Sequence, residues 1–529
     1  MPDGTLPELD RVRTAEVIAA LSLATDLAVG VPLEHGLEGT LAAMRLCERL
    51  GVDADTASET YYACMLLHVG CTADAEVEAE VIGGELHAEL LPVLFGSRSE
   101  GLRALIRAIA DPDRPVPVRL LQTVRRMPAA ARSHPQHLVA ICEVGQMLGE
   151  RLGLPPNMQP LFAALTERWD GSGPTRARGD EIPLPMRIVH VARDAAFHNV
   201  VGGPEHAARV VRERAGAAFD PVIATLLADH AEEILAPSEA SAWERVMAAE
   251  PGAGLALTGG AIDRALAAIG DFADLMSPYL TGHSAGVADL AAAAAQRCGM
   301  GDAGATEVRR AALVHDLGRV AVSTRTWQRR GPLSADEWEH VRLHPYHGER
   351  VLSRSPFFAE IAAIASAHHE RLDGSGYHRG AHAAAIGLPA RVLAAADAFH
   401  AMTEPRAHRE ALTPEQAADA LAREASAGRL DADAVGAVLE CAGQRAPRIE
   451  RPAGLTEREA EVVALLARGL QTKQVARALG ISVKTADRHI QNAYAKIGVS
   501  TRAAATLFAM EHGLTAWGEL PMAADPARS

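Results

Sequence analysis

Two long stretches of this chain follow one plan, and that repetition limits its fold more than any other feature. The segment TERWDGSGPTRARGDEIPLPMRIVHVARDAAFH (166–198) parallels HERLDGSGYHRGAHAAAIGLPARVLAAADAFH (369–400) through a shared Asp-Gly-Ser-Gly turn and a shared Leu-Pro-x-Arg helix start. Upstream, EHGLEGTLAAMRLCERLGVD matches GHSAGVADLAAAAAQRCGMGD, and the interval from His35 to Gly51 equals that from His283 to Gly299. Three landmarks in the same order and at similar spacing indicate two copies of one unit rather than a chance likeness between Ala-rich helices. Ala, Leu, Arg and Glu dominate both copies and no series of alternating strands is evident, so the expected fold is all-α.

Composition bounds the rest. A chain of 529 residues with 48% hydrophobic content supports two to four domains, each with its own core. Its six cysteines form no CxxC pair, which points to reduced thiols in the cytoplasm rather than a disulfide frame or zinc ribbon. The N-terminus lacks a signal-peptide core and no run of apolar residues suits a membrane span, so the expectation is a soluble, cytoplasmic protein with no membrane partner. A formal net charge of -15 excludes a chain that coats nucleic acid over its whole surface; any contact with DNA is local.

The second copy embeds polar residues where core residues belong: His283, His315 and Asp316 in LVHDLG, His344 in HPYHGERVL, the pair His368 and His369, and Asp397 in VLAAADAF. An uncompensated charge in such a setting costs several kcal/mol. Any one of these histidines alone reads as an ordinary core residue, but the ordered set reads as metal ligands. Imidazole with carboxylate suits Fe, Mn or Zn better than Ca or Mg, and so many ligands exceed one tetrahedral site. Two metals are implied.

These pieces, with SPYLTGHSAGVA, VHDLGRVAV, HHERLDGSGY and PARVLAAADAFHAMT, resemble the HD-GYP branch of the HD phosphohydrolases over residues 270–445. The resemblance implies an all-helical metal-dependent phosphodiesterase, often with iron or manganese and in many members acting on cyclic di-GMP. It makes Asp316 the bridging carboxylate, with His283, His315, His344, His368, His369 and Asp397 as the other ligands. Tyr279 stands where three-metal members have an acid, which favours two ions; the resemblance implies Fe or Mn over Zn. Arg319 replaces the usual lysine and is expected to neutralise a substrate phosphate; Asp373, Gly376 and Tyr377 are the other substrate-binding candidates. His347 falls at a variable position. The pattern departs at His378, which ends the Gly-Tyr-Pro triplet, at His400, which replaces a second acid, and at EPRAHRE, which replaces an Arg-Pro-Tyr-Arg stretch. These departures bear on the substrate more than on the metals.

In the first copy His35 aligns with His283 and His68 with His315, but Val69 follows where the bridging Asp belongs. Leu165, Thr166 and Arg193 fall opposite His368, His369 and Asp397, with Asp194 next door. HPQH at 134–137 is offset from the aligned position and is read as coincidence. This copy resembles a degenerate HD domain, regulatory or structural, that binds no metal.

After the Pro/Gly/Arg-rich segment 441–454 comes LTEREAEVVALLARGLQTKQVARALGISVKTADRHIQNAYAKIGVS. Thr456 with Glu459 reads as a capping box, and a Gly-containing turn at 479–481 followed by Ser482 as the cap of a second helix gives helix-turn-helix. Residues 455–514 hold eight Lys and Arg against five Asp and Glu, locally basic in an acidic chain. The segment resembles the LuxR-type DNA-binding domain at Glu457, Gly469, Ala476, Ile481, Lys484, Thr485, His489 and Lys496. On that resemblance the second helix enters the major groove with Lys484, Thr485, Arg488 and Asn492, while Lys473, His489 and Lys496 lie near phosphates. The expected organisation is therefore a degenerate HD-like domain (1–240), an HD-GYP-like phosphohydrolase (255–445) and a four-helix LuxR-type module (454–517). The chain is expected to act as a homodimer on DNA, coupled to a cyclic dinucleotide or another phosphodiester. The alternative is a transcription factor whose HD units sense a nucleotide without turning it over.

Overall fold

The structure, a computed structural model, describes residues 11–72, 141–444 and 452–512 except 468, with 514 and scattered positions between 103 and 125. HPQH and residues 445–451 of the linker lie outside the described residues. The chain divides into two compact units.

The first unit holds residues up to Thr281 together with 317–333 and 350–359. Its helix Thr14–Val29 is buried along nearly its whole length and stops at Gly30, whose φ of 79° is the left-handed conformation that glycine adopts without strain. The helix His35–Leu50 packs on Ala54–Met65 and on Leu184–Arg214. Asp53 caps Ala54–Met65, its Oδ1 accepting from Thr56 N at 2.7 Å. Leu184–Arg214 breaks at Gly202 and Gly203, just before Pro204, which lacks the N–H a continuous helix needs. The turn Leu317–Ala321 packs on Thr14–Val29 and on Gly260–Asp274, Arg354 pairs with Glu34 at 3.3 Å, and Ser355 Oγ donates to Glu16. The all-α expectation meets one exception among the described residues: Arg11–Arg13 pairs antiparallel with Ala256–Thr258, and the facing Val12 and Leu257 are both buried.

In the second unit the helix His283–Arg297 packs on Gly301–Val314, Leu388–Thr403 and Ala432–Cys441. Thr413 and Gln416 form a capping box at the start of Pro414–Ser426. The C-terminal module follows with helices Glu457–Ala467, Thr472–Ala478, Val483–Ile497 and Arg502–Glu511. Thr456 N donates to Glu459 (2.8 Å) and Glu459 N to Thr456 Oγ1 (3.3 Å), so the capping box is formed. Gly480, at φ 64°, makes the turn before Ser482, whose hydroxyl accepts from Thr485 N at 3.1 Å. Leu455, Val463 and Ala493 form one small core and Val462, Val475 and Ile490 another.

The sequence repeat is also a repeat of hydrogen bonding. Asp170 and Asp373 each accept from the backbone N–H two residues on, at 3.0 Å in both turns. Glu167 and Glu370, both buried, clamp the chain that follows: Glu167 accepts from Thr175 N (2.7 Å), Glu370 from Arg379 N (2.8 Å) and Ala381 N (2.7 Å). The arginine of each Leu-Pro-x-Arg start reaches an aspartate that caps a later helix, Arg187 to Asp220 (3.0 Å) and Arg391 to Asp431 (3.1 Å). These pairs explain why charged residues repeat at positions that no ligand uses.

Candidate metal centre

In the second unit the helix ends bring the polar residues together. His315 ends Gly301–Val314, His344 starts His344–Leu352, His283 opens His283–Arg297, and Asp397 lies inside Leu388–Thr403. His283, His315, Asp316, His344, His368 and Asp397 are all buried, while His369 is partly exposed. Asp316 stands at the middle. Its Oδ2 lies 3.0 Å from His315 Nε2 and 3.4 Å from His283 Nε2, and its Oδ1 lies 3.3 Å from His344 Nε2 and 3.5 Å from His368 Nε2. Asp397 Oδ1 is 3.3 Å from His283 Nε2, and its Oδ2 is 4.0 Å from His369 Nδ1. The nitrogens and oxygens fall into four overlapping triads among the described residues: His344, His368 and His369; His283, His315 and Asp397; His315, Asp316 and His368; and His283, His400 and Glu404.

The hydrogen bonds set which nitrogen faces the centre. Nδ1 of His315, His344 and His368 lies 2.6, 2.7 and 2.6 Å from the carbonyl three residues earlier, of Ala312, Val341 and Ala365. Donation there leaves each Nε2 lone pair turned inward. His344 Nε2 and His368 Nε2 are 3.2 Å apart. Two lone pairs at that distance repel, and a cation between them and Asp316 resolves the conflict. Burial disfavours charge on His315, yet Asp316 and Asp397 outweigh it and push the imidazole up to about 9. Burial alone would raise Asp397, but His283 and His315 hold it well below the usual carboxylate range. Burial and His368 drive His369 well below an ordinary histidine. A buried site that holds protons against anions in this way is a cation site by charge, and the donor set fits divalent metal.

One residue here escapes sequence reasoning. Glu404 accepts from His283 Nδ1 (2.9 Å), lies 3.1 Å from His400 Nδ1 and pairs with Arg406 at 2.9 Å. Against the effect of burial, His283 and His400 hold its carboxyl below the usual range. A Cβ at Gly286 would come within 2.0 Å of His400 Nε2, so that glycine makes room for the imidazole. The signal in the sequence is the i,i+4 spacing of His400 and Glu404 at the helix exit. Glu404→Gln is expected to weaken metal binding by about 10- to 100-fold, the usual effect of losing the group that orients a ligand. Chelator competition on the wild type and the variant measures this; equal affinities would show that Glu404 does not orient His283.

The substrate candidates are used in different ways. Tyr377 stacks on His369, centroids 4.6 Å apart with a 32° tilt. Asp373 accepts from both the N–H and the hydroxyl of Ser375 and so holds its own turn. A Cβ at Gly376 would lie 2.4 Å from Arg371 N, so glycine is required there for packing. Arg319 is buried within the first unit, its guanidinium 5.3 Å from the Trp327 ring centre. His347 packs beside Tyr346.

In the first unit the corresponding place holds a fixed cation. Arg193 pairs with Asp194 at 2.6 Å, and Arg214 reaches the other oxygen of that buried carboxylate at 3.0 Å. Leu165 contributes only its carbonyl, 3.1 Å from His190 Nε2. Burial first, and then the charge of Arg193, push His35 and His190 down to about 4 and His68 well below an ordinary histidine. These imidazoles fold neutral. Because an unfolded histidine titrates near 6.5, the stability tied to His35 and His190 is full above that pH and is lost as pH falls toward 4. Between pH 7 and 5 the loss is roughly 3–4 kcal/mol for the pair. Urea unfolding of the full chain at the two pH values tests this, since His35→Gln with His190→Gln should flatten the slope by that amount.

In the C-terminal module Lys473, Lys484, Arg488 and Asn492 are exposed, and Thr485 and His489 are half-buried. Thr485 Oγ1 lies 2.7 Å from the capping Ser482 hydroxyl. Lys496 is held at home, its Nζ 2.6 Å from Glu459 and 3.0 Å from the Gly454 carbonyl. The side chain of Glu457 lies outside the described residues.

Residues 268–434 match the HD domain family and residues 453–509 the luxR family of bacterial regulatory proteins. The chain therefore carries an HD-type domain followed by a luxR-type regulatory domain. A Vibrio cholerae serotype O1 protein named 3'3'-cGAMP-specific phosphodiesterase 3 is 28% identical over 410 residues, 76% of this chain and 89% of that protein. A Thermotoga maritima cyclic di-GMP phosphodiesterase is 36% identical over 137 residues, 26% of this chain and 37% of that one. The crystal structure of a cyclic GMP-AMP specific phosphodiesterase from V. cholerae has the same fold, with a TM-score of 0.57 at 24% identity, covering 82% of this chain and 98% of that one. No helix among the described residues is long and apolar enough to cross a membrane.

Proposed function

We propose that the second copy, residues 255–445, binds two divalent transition-metal ions, iron or manganese before zinc, and hydrolyses a cyclic purine dinucleotide of the cGAMP or cyclic di-GMP type. The ligands in this reading are His283, His315, Asp316, His344, His368, His369 and Asp397. The carrying observation is Asp316, whose two oxygens each face a pair of histidine Nε2 atoms. When bound, such a pair of ions supplies Lewis acidity to a phosphodiester and makes water a nucleophile at neutral pH. The chain itself contributes buried walls that exclude bulk water, the backbone carbonyls that fix each imidazole, and Glu404, which orients His283.

The first copy, residues 1–240 in this reading, is a metal-free partner, with Arg193 as its resident cation. The C-terminal module, residues 454–517, binds operator DNA as a dimer, in the cytoplasm. Metal analysis after anaerobic purification, followed by a turnover screen against cyclic dinucleotides and simple phosphodiesters, tests the enzyme. Metal with hydrolysis of a cyclic dinucleotide is expected. Tight dinucleotide binding without turnover would favour the sensor reading, for which His378 in the Gly-Tyr-Pro triplet and the fused DNA-binding module speak.

A further inference from the structure

Beside the proposed metal site lies an aromatic surface that the chemistry above leaves unused. Trp338 and Arg342 stand one helical turn apart on Ala335–Arg342 and face the same way. Trp338 is 45% exposed, unusual for so large an apolar ring. Both reach Tyr377, the Trp338 ring at 6.0 Å edge-on and the Arg342 guanidinium at 5.8 Å from the ring centre. Tyr377 in turn stacks on His369. On the adjoining side Tyr346, 42% exposed, lies 5.8 Å from His378. A line of flat groups thus runs from a proposed ligand outward to solvent, with the half-exposed guanidinium of Arg342 on it.

We infer that Trp338, Arg342 and Tyr377 form the shelf on which one purine base of the substrate stacks, and that Trp338 sets the preference for base-bearing phosphodiesters. The inference rests on the phosphodiesterase reading of the metal site and adds to it the part of the substrate that is not phosphate. A purine is the occupant that uses every part of the surface. One face stacks on the exposed Trp338 ring, which Tyr377 supports edge-on, and the acceptor edge of a guanine, O6 with N7, takes the planar donor fork of Arg342. Among the described residues Arg342 also pairs with Glu339, three residues away on the same helix, at 3.1 Å with both side chains partly exposed. A base on the shelf would leave its phosphate on the His369 side, toward the ligand cluster. His378 in place of the family's proline adds a further flat ring beside Tyr346, which widens the shelf.

The metal-loaded full chain is assayed with cyclic di-GMP, 3'3'-cGAMP and methyl 4-nitrophenyl phosphate, a diester without a purine. Trp338→Ala is expected to lower the ratio of kcat/KM for either dinucleotide over that for the small diester by about tenfold or more, mainly through KM, the loss typical of one base–aromatic stack. Trp338→Phe should recover most of that ratio, and Arg342→Ala should lower it for both dinucleotides, since each offers a guanine to the shelf. Parallel losses on all three substrates, or no change on any, would overturn the shelf. If the wild type hydrolyses none of them, it is the phosphodiesterase reading that has failed, and dinucleotide binding then decides the shelf. Dinucleotide should quench tryptophan emission in the wild type and not in Trp338→Phe, and equal quenching in both proteins refutes the assignment.

Discussion

Asp316→Ala is expected to strip the chain of metal and abolish hydrolysis in one step. The carboxylate is buried, and its two oxygens face the Nε2 atoms of His283, His315, His344 and His368 within 3.5 Å. Without it, a site proposed to take two cations among five imidazoles would keep Asp397 as its one ligating carboxylate, with Glu404 behind His283, and each ion would lose the anion shared with the other. Metal analysis should fall from about two ions per chain to near none, because a bridging ligand serves both ions. Asp316→Asn keeps the shape and removes the charge, and should behave the same way, which separates the electrostatic role from packing. Circular dichroism of both variants guards against a folding defect. The first copy is expected to take up no metal in its place, since Val69 replaces the bridging residue and Arg193 already supplies positive charge there. Full activity in a metal-depleted Asp316 variant would refute the enzyme, and stoichiometric residual metal would place a site in the first copy.

The ligand cluster could be read in the sequence because its members sit within or at the ends of helices, several of them beside apolar runs where a charge stands out. Glu404 could not, because it leaves its helix among other polar residues in EPRAHRE, and nothing in that run tells which carboxylate turns back to His283. Trp338 and Arg342 were hidden for a similar reason. On an exposed amphipathic helix they read as surface residues until Tyr377 is placed against both. The strands Arg11–Arg13 and Ala256–Thr258 are too short to show a period of two, and their pairing spans most of the first unit. The same non-locality hides the grouping of 317–333 and 350–359 with the first unit, which depends on packing against Thr14–Val29 and on the Arg354–Glu34 pair. Local chemistry, by contrast, was legible wherever a cap or turn fixes it, as at Thr456 with Glu459 and in the repeated Asp-Gly-Ser-Gly turns.

Lys484→Ala combined with Arg488→Ala should remove specific DNA binding while phosphodiester hydrolysis continues. Both side chains are exposed on the helix Val483–Ile497, four residues apart, with Asn492 one turn further on the same face. Ala486, Ile490 and Ala493 bury the opposite face, so the outward stripe is fixed by the core of the module. A helix presented in this way reads the major groove through a few long polar side chains, each good bidentate contact contributing about 1–3 kcal/mol of discrimination. Losing two such contacts costs about 2–6 kcal/mol per module, and a dimer on an inverted site feels the loss twice. Lys496 makes the contrast. Its ammonium is pinned by Glu459 and the Gly454 carbonyl, so Lys496→Ala should first loosen the entry of the module's first helix and lower its melting temperature, with base preference unchanged. Lys473 at the start of Thr472–Ala478 is exposed beside backbone N–H groups that favour an anion, and its loss should weaken all sequences alike and lower the salt dependence by about one counterion. Genomic fragments selected by the wild type, then titrated with each variant at physiological salt, separate these outcomes. If the Lys484 and Arg488 double variant binds the selected fragments as tightly as the parent, this helix is not the element that reads the bases.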